Sequence, residues 1–128
     1  MKILIVDDDQ DLASIIQVML EDEGYEVQLA KDGKEGYLTY LLGMPDLVIT
    51  DICMPGKNGL ELMENIRMHN PEMISIYMSG DITRYQTVLE QETKKYNTRV
   101  LRKPFFRVEL LQLITELQEH SREKAHCT

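Results

Sequence analysis

The sequence predicts an α/β domain, a doubly wound parallel sheet built from five consecutive βα units, and two observations carry that prediction. Short apolar runs rich in β-branched residues recur along the chain, and stretches whose apolar residues return every three or four positions lie between them. Gly24, Gly43, Gly56 and Pro71 mark the joins as helix stops or turns. Strands and helices that alternate in this way form a parallel sheet with helices on both faces, connected by right-handed crossovers.

The first run, Ile3 to Val6, reads as a strand, and Leu12, Ile15, Ile16, Met19 and Leu20 form the apolar stripe of the helix after it. Val27 to Leu29 is the second strand, and the helix that follows ends near Gly43. Leu47 to Thr50 is the third strand, followed by the helical pattern Leu60, Met63, Ile66 and Arg67. Ile74 to Met78 is the fourth. The next segment, Thr83 to Lys95, is the least regular: Ile82, Tyr85, Val88 and Leu89 fit a helix face, whereas the polar run Glu90 to Lys95 leaves the helix end undefined. Val100 and Leu101 mark the fifth strand, and Leu110, Leu111, Ile114 and Leu117 the last helix. The expected organisation is one domain over 1–118, a frayed polar tail over 119–128, and no output domain in the chain.

Composition narrows the function. The chain has 128 residues, 43% hydrophobic and 28% charged, which suits a single soluble core. Fourteen basic against 22 acidic side chains leave a charge of -8, which repels a nucleic-acid backbone, and no segregated basic patch offsets it. No apolar stretch approaches the roughly 20 residues of a membrane span, and Lys2 to Val6 is too short for a signal peptide, so a cytoplasmic protein is expected. Cys53 and Cys127 are too few and too far apart for a disulfide framework or a thiolate metal site. The eight methionines read as core filler, Tyr25, Tyr37 and Tyr40 as packing residues, and His69, His120 and His126 lack metal-ligand spacing.

In an open parallel sheet, ligands bind beyond the carboxyl ends of the strands. Asp7, Asp8 and Asp9 follow the first strand, Asp51 the third, Ser79 the fourth, and Lys103 lies just past the fifth. Asp9 fits a plain helix cap. Asp7, Asp8 and Asp51 are harder to explain so, because unit charges roughly 4 Å apart repel by about 4 kcal/mol at an effective dielectric of about 20. A hard divalent cation offsets such repulsion, and a few carboxylates completed by water and phosphate suit Mg²⁺; proton sharing is the alternative.

Four stretches together resemble the signature segments of response-regulator receiver domains: Ile3-Leu4-Ile5-Val6-Asp7-Asp8-Asp9, the run from Asp51 through Pro55 to Gly59, Met78-Ser79-Gly80, and Lys103-Pro104-Phe105. They occur in the family's order. The resemblance implies a flavodoxin-like sheet of order 2-1-3-4-5 and a phosphorylation switch with no external turnover substrate. It implies that Asp51 accepts a phosphoryl group from a phosphohistidine. Asp8 directly, Asp7 largely through water, Asp51, and the Cys53 backbone carbonyl would hold Mg²⁺ or Mn²⁺. Lys103 and Ser79 would contact the phosphoryl group, and Pro104 would follow a cis bond. The implied partners are a sensor histidine kinase or histidine phosphotransfer protein near the first helix, and an effector or output domain on the face of the last two βα units. Neither nucleic acid nor membrane is an expected partner of this chain.

One position departs from the family pattern. Three residues before Lys103, where the family usually carries a rotating aromatic, stands Val100, which is stiff at its only side-chain torsion. That residue cannot perform the aromatic part of the usual switch; separately, a receiver that acts as an interaction module without phosphorylation is an alternative, although the Asp7, Asp8, Asp51, Ser79 and Lys103 set argues against it. A haloacid-dehalogenase-like phosphohydrolase fits poorly, because Asp11 stands where that family's loop carries Thr or Val. A flavin carrier would meet repulsion between its phosphate and the aspartates after the first strand.

Overall fold

In the computed structural model, which describes residues 1–126, with side chains described through His120, five strands form one parallel sheet of order β2-β1-β3-β4-β5. The strands are β1 (Lys2–Val6), β2 (Glu26–Ala30), β3 (Leu47–Asp51), β4 (Ile74–Ser79) and β5 (Thr98–Arg102). The helices are α1 (Gln10–Asp22), α2 (Gly33–Gly43), α3 (Gly59–His69), α4 (Gln86–Lys95) and α5 (Arg107–His126). Each expected strand is present and extends by one to three residues beyond its apolar run. Helix α5 is continuous across the expected boundary at 118/119; residues 127 and 128, part of the expected tail, lie outside the described residues.

Period-two alternation in the buried strands divides the core. Ile3, Ile5, Ile49, Ile76 and Met78 face one layer with Ile16 and Leu20 of α1 and Leu110, Ile114 and Leu117 of α5. Leu4, Val6, Val48 and Tyr77 face the other, with Leu62, Met63 and Ile66 of α3 and Leu89 of α4.

Local sequence explains the ends. Asp9 caps α1 by accepting from the Leu12 amide at 3.1 Å, as its bland reading required. Asn58 and Glu61 form a reciprocal capping box on α3. Gly24 takes the left-handed conformation after α1, and Asn70 closes α3 one residue before Pro71.

Four details correct the sequence reading. Ile15, assigned to the buried stripe of α1, is 54% exposed; Ala13 occupies that face with Ile16 and Leu20. Gly43 does not take the left-handed stop of α2. It is the last helical residue, Met44 adopts φ 47 at the C-cap, and a Cβ on Gly43 would meet the Gln28 side chain, so this glycine serves close approach. The methionines are not all core filler: Met44 and Met68 are largely exposed, whereas Met54, Met63, Met73 and Met78 are buried. The irregular segment divides into a single 3-10 turn, Thr83–Tyr85, and α4, which runs through the polar stretch to Lys95 with Leu89 as its one buried residue.

Candidate functional site

The strand order turns at β1 and β3, whose crossovers leave toward opposite faces, and that divergence opens a crevice beyond their carboxyl ends. Register brings the chemistry there. Val6 pairs with Thr50, Asp51 with Met78, and Ser79 with Arg102, so the residues that end or follow β1, β3, β4 and β5 lie along one edge. Backbone bonds past the strands extend this alignment: the Ile52 amide donates to the Met78 carbonyl and the Lys103 amide to the Ser79 carbonyl.

Asp7, Asp8 and Asp51 each bring a carboxylate oxygen to within 4.8 Å of the others. Asp7 is fully buried and Asp51 is 7% exposed, whereas Asp8 is open to solvent. Both oxygens of Asp7 are engaged: Oδ1 accepts from the Asp9 amide at 2.9 Å and Oδ2 from the Lys103 ammonium at 2.9 Å. Lys103 Nζ also lies 3.4 Å from Asp51 Oδ1. One cation thus contacts two carboxylates of the cluster of three. Burial pushes the Asp51 carboxyl above its ordinary value, Lys103 pulls it back, and Asp7 and Asp8 push it up again. Burial acts to lower the Lys103 ammonium, but its contacts with Asp7 and Asp51 outweigh that and hold it above the usual lysine value.

The residual negative charge and the hard oxygen donors fit a divalent cation of the Mg²⁺ or Mn²⁺ kind. Asp8 has the freest oxygens, while those of Asp7 already have partners. Cys53, two residues after Asp51, lies in an exposed turn shaped by Gly56 at φ 75, and it is in no disulfide. Gly59 is fixed by close approach: a Cβ there would meet the Asp51 carbonyl oxygen at 2.2 Å, so only glycine lets α3 begin directly against the Asp51 backbone.

Ser79 is 3% exposed, and its hydroxyl accepts from the Asp81 amide at 3.0 Å, bracing the loop after β4. Beside it, Gly80 leaves open space where a Cβ would stand. The Lys103-Pro104 bond is cis, as expected. Every sequence-predicted side chain of the site therefore lies at this edge. Sequence reasoning missed a second buried polar cluster, in which Arg67 donates to the Tyr77 hydroxyl and to Glu92 and the Tyr77 hydroxyl donates to Glu92; the place of Arg67 in the apolar pattern of the third helix was its one sequence signal.

The family model for the response regulator receiver domain matches residues 3–115. The transcriptional regulatory protein DltR of Streptococcus agalactiae is 36% identical over 116 residues, covering 89% of this chain and 50% of DltR. CpxR of Klebsiella pneumoniae, another transcriptional regulatory protein, is 34% identical over 121 residues, covering 94% of this chain and 50% of CpxR. Among solved structures, the response regulator TrrA of Thermotoga maritima in complex with Mg²⁺-BeF is 32% identical with a TM-score of 0.79, covering 91% of this chain and 97% of TrrA. The chain spans about half the length of the curated relatives it matches.

Proposed function

Because this chain belongs to the response regulator receiver family, we propose that it is a phosphorylation-controlled switch whose phosphoacceptor is Asp51. The observation that carries this reading is the position of Asp51, a buried strand-end carboxylate held between Lys103 and the acidic pair Asp7 and Asp8. An Asp51 carboxylate oxygen attacks the phosphorus of a phosphohistidine. The P–N bond breaks, its electron pair returns to the imidazole, and an acyl phosphate remains on Asp51.

Asp8, Asp51 and the Cys53 backbone carbonyl would hold a Mg²⁺ or Mn²⁺ ion, with Asp7 acting largely through water. That assignment agrees with an exposed Asp8 and an Asp7 whose oxygens are both engaged. When bound, such a cation would supply positive charge to offset that of the carboxylates and of an incoming phosphoryl group. Lys103 supplies a compact positive charge to the phosphoryl group, and in moving toward it releases part of its hold on Asp7. Ser79 gives up the Asp81 amide to donate its hydroxyl to a phosphoryl oxygen, which draws the loop after β4 inward. The phosphorylated form is thereby favoured through interactions only it can make.

The donor would be a sensor histidine kinase or phosphotransfer protein. The recipient would be an effector or output domain, and the unit that switches would be residues 1–118. No helix among the described residues is long and apolar enough to cross a membrane, and the assigned chemistry is that of a cytoplasmic relay. Borohydride trapping tests the phosphoacceptor: reduction of the acyl phosphate followed by peptide mapping should convert Asp51 to homoserine. Conversion at Asp7 or Asp8 instead, or at none of the three, would contradict the assignment.

A further inference from the structure

Helix α2 lacks a polar face. Its inward side packs Tyr37 and Tyr40, whose rings stack 6.3 Å apart, against the layer that holds Leu4, Val6 and Leu62. Its outward side carries Leu38, Leu41 and Leu42, which are 51%, 47% and 88% exposed, and Met44 follows at the C-cap, 79% exposed. Positions 38, 41 and 42 share one stripe of the helix, with Lys34 one turn earlier. These leucines are not core residues, since the buried residues of α2 are Gly33 and Gly36. From 36 to 45 no side chain is charged, in a chain that is 28% charged. Exposed apolar residues scattered singly are ordinary, but four within seven residues form a patch of the kind that marks an interface. A helix that is apolar all round is normally a covered one.

The charges at the two ends of the patch point to its occupant. Lys34 is exposed at the N-terminal end and has no ion-pair partner among the described residues. Asp46 is exposed at the other end; its Oδ2 accepts from the Lys2 amide at 2.8 Å, which leaves Oδ1 for a further donor. The pairs Lys34 with Asp46 and Leu38 with Leu42 are both centred on position 40. A second copy of α2, laid antiparallel about a two-fold axis at that position, therefore sets Leu38 against the partner's Leu42 and Lys34 against the partner's Asp46. Each helix N-terminus then lies beside the partner's C-terminus, where the dipoles attract. The charge of -8 opposes the approach of two chains, but salt screens it beyond about 10 Å, and the patch itself carries none of it.

We propose that the outward face of α2 is a self-association surface, on which two copies of this chain pair through Leu38, Leu41, Leu42 and Met44 in an antiparallel, isologous contact closed at each end by Lys34 and the partner's Asp46. The leucines stand toward the C-terminal end of α2, which leads into the start of β3, so the surface lies at the opposite edge of the sheet from Asp51. It does not depend on Asp51 as phosphoacceptor. A helix of 11 residues covers less than the roughly 800 Å² per partner of a standard interface, so the pairing is weak and concentration-dependent.

Sedimentation equilibrium over a concentration series tests this on the full chain, in chelator and without a phosphoryl donor, so that the outcome is independent of Asp51. Wild type should pass from one chain toward two as concentration rises to about 1 mM. Leu42→Glu, at an exposed position that leaves the core untouched, should raise the dissociation constant about tenfold or more. Val18→Glu, an equally exposed change on α1 across the sheet, should leave it unaltered. Lys34→Glu sets like charges at both ends of the pair and should weaken it about fivefold, and Lys34→Glu combined with Asp46→Lys should restore most of that loss. Circular dichroism checks that each variant is folded. Wild type that stays monomeric to about 1 mM overturns the proposal, and flotation of that monomer with phosphatidylcholine vesicles would assign the leucines to lipid instead. A dimer broken by Val18→Glu and not by Leu42→Glu overturns the choice of face. A dimer sensitive to Leu42→Glu that the double charge exchange does not restore overturns the antiparallel pairing.

Discussion

Lys103 Nζ lies 3.4 Å from Asp51 Oδ1 and, through its shorter 2.9 Å contact with Asp7 Oδ2, is shared between the two buried carboxylates. The ammonium therefore serves two tasks, offsetting charge in the resting site and meeting the phosphoryl group when it arrives.

Lys103→Met separates those tasks. Without the ammonium, buried Asp7 loses its charged partner, so metal-free stability should fall by about 2 kcal/mol in urea unfolding, and Mg²⁺ should recover part of the loss. Phosphoryl incorporation from acetyl phosphate should slow by roughly tenfold or more. Unchanged unfolding in chelator would show that Lys103 does not balance the acidic cluster.

Asp51→Asn should act in the opposite direction on stability. The folded protein raises the Asp51 pKa above its unfolded value, so above the folded pKa the ionised carboxylate costs stability, and the cost fades as pH falls through the folded pKa toward the unfolded one. The amide lacks this penalty. In chelator near neutral pH the variant should be the more stable of the two, and its advantage over wild type should shrink on acidification. An advantage that grows at low pH would contradict the sign.

Asp8→Asn distinguishes a cation ligand from a structural carboxylate. Asp8 is exposed, so the substitution should change metal-free stability by less than about 0.5 kcal/mol. Wild type should gain about 2.7 kcal/mol at a Mg²⁺ concentration roughly 100 times the dissociation constant, and the variant should need far more Mg²⁺ for the same gain. Equal Mg²⁺ titrations of thermal midpoint would remove Asp8 from the ligand set.

Gly59→Ala probes the backbone behind the site. A Cβ placed 2.2 Å from the Asp51 carbonyl oxygen must displace α3 or the end of β3, which should cost about 2 kcal/mol or more and slow phosphoryl incorporation as well. Full stability and a normal rate would show that this edge yields without affecting Asp51.

The acidic site was legible because its chemistry stands where apolar runs end: Asp7 after Val6, Asp51 after Thr50, Ser79 after Met78. Strand order then followed from the resemblance, and the parallel sheet from alternation alone. What escaped was decided by packing. Ile15 fits a helical stripe on paper, yet the face of α1 against the sheet runs through Ala13 instead, whose small side chain permits close approach. The contacts of the Arg67 cluster were illegible for a related reason: Arg67 meets Tyr77 and Glu92 at separations of 10 and 25 residues, and Glu92 stands in a polar run that reads as solvated surface. Only the fold brings these groups together under cover.

The most direct test of the central claim is intact-mass measurement after acetyl phosphate treatment, with and without Mg²⁺, on wild type and Asp51→Asn. The account predicts a single phosphoryl adduct on wild type that requires Mg²⁺ and is absent from the folded variant. An adduct of equal yield on Asp51→Asn, or a folded, Mg²⁺-binding wild type that takes up no phosphoryl group, would contradict it.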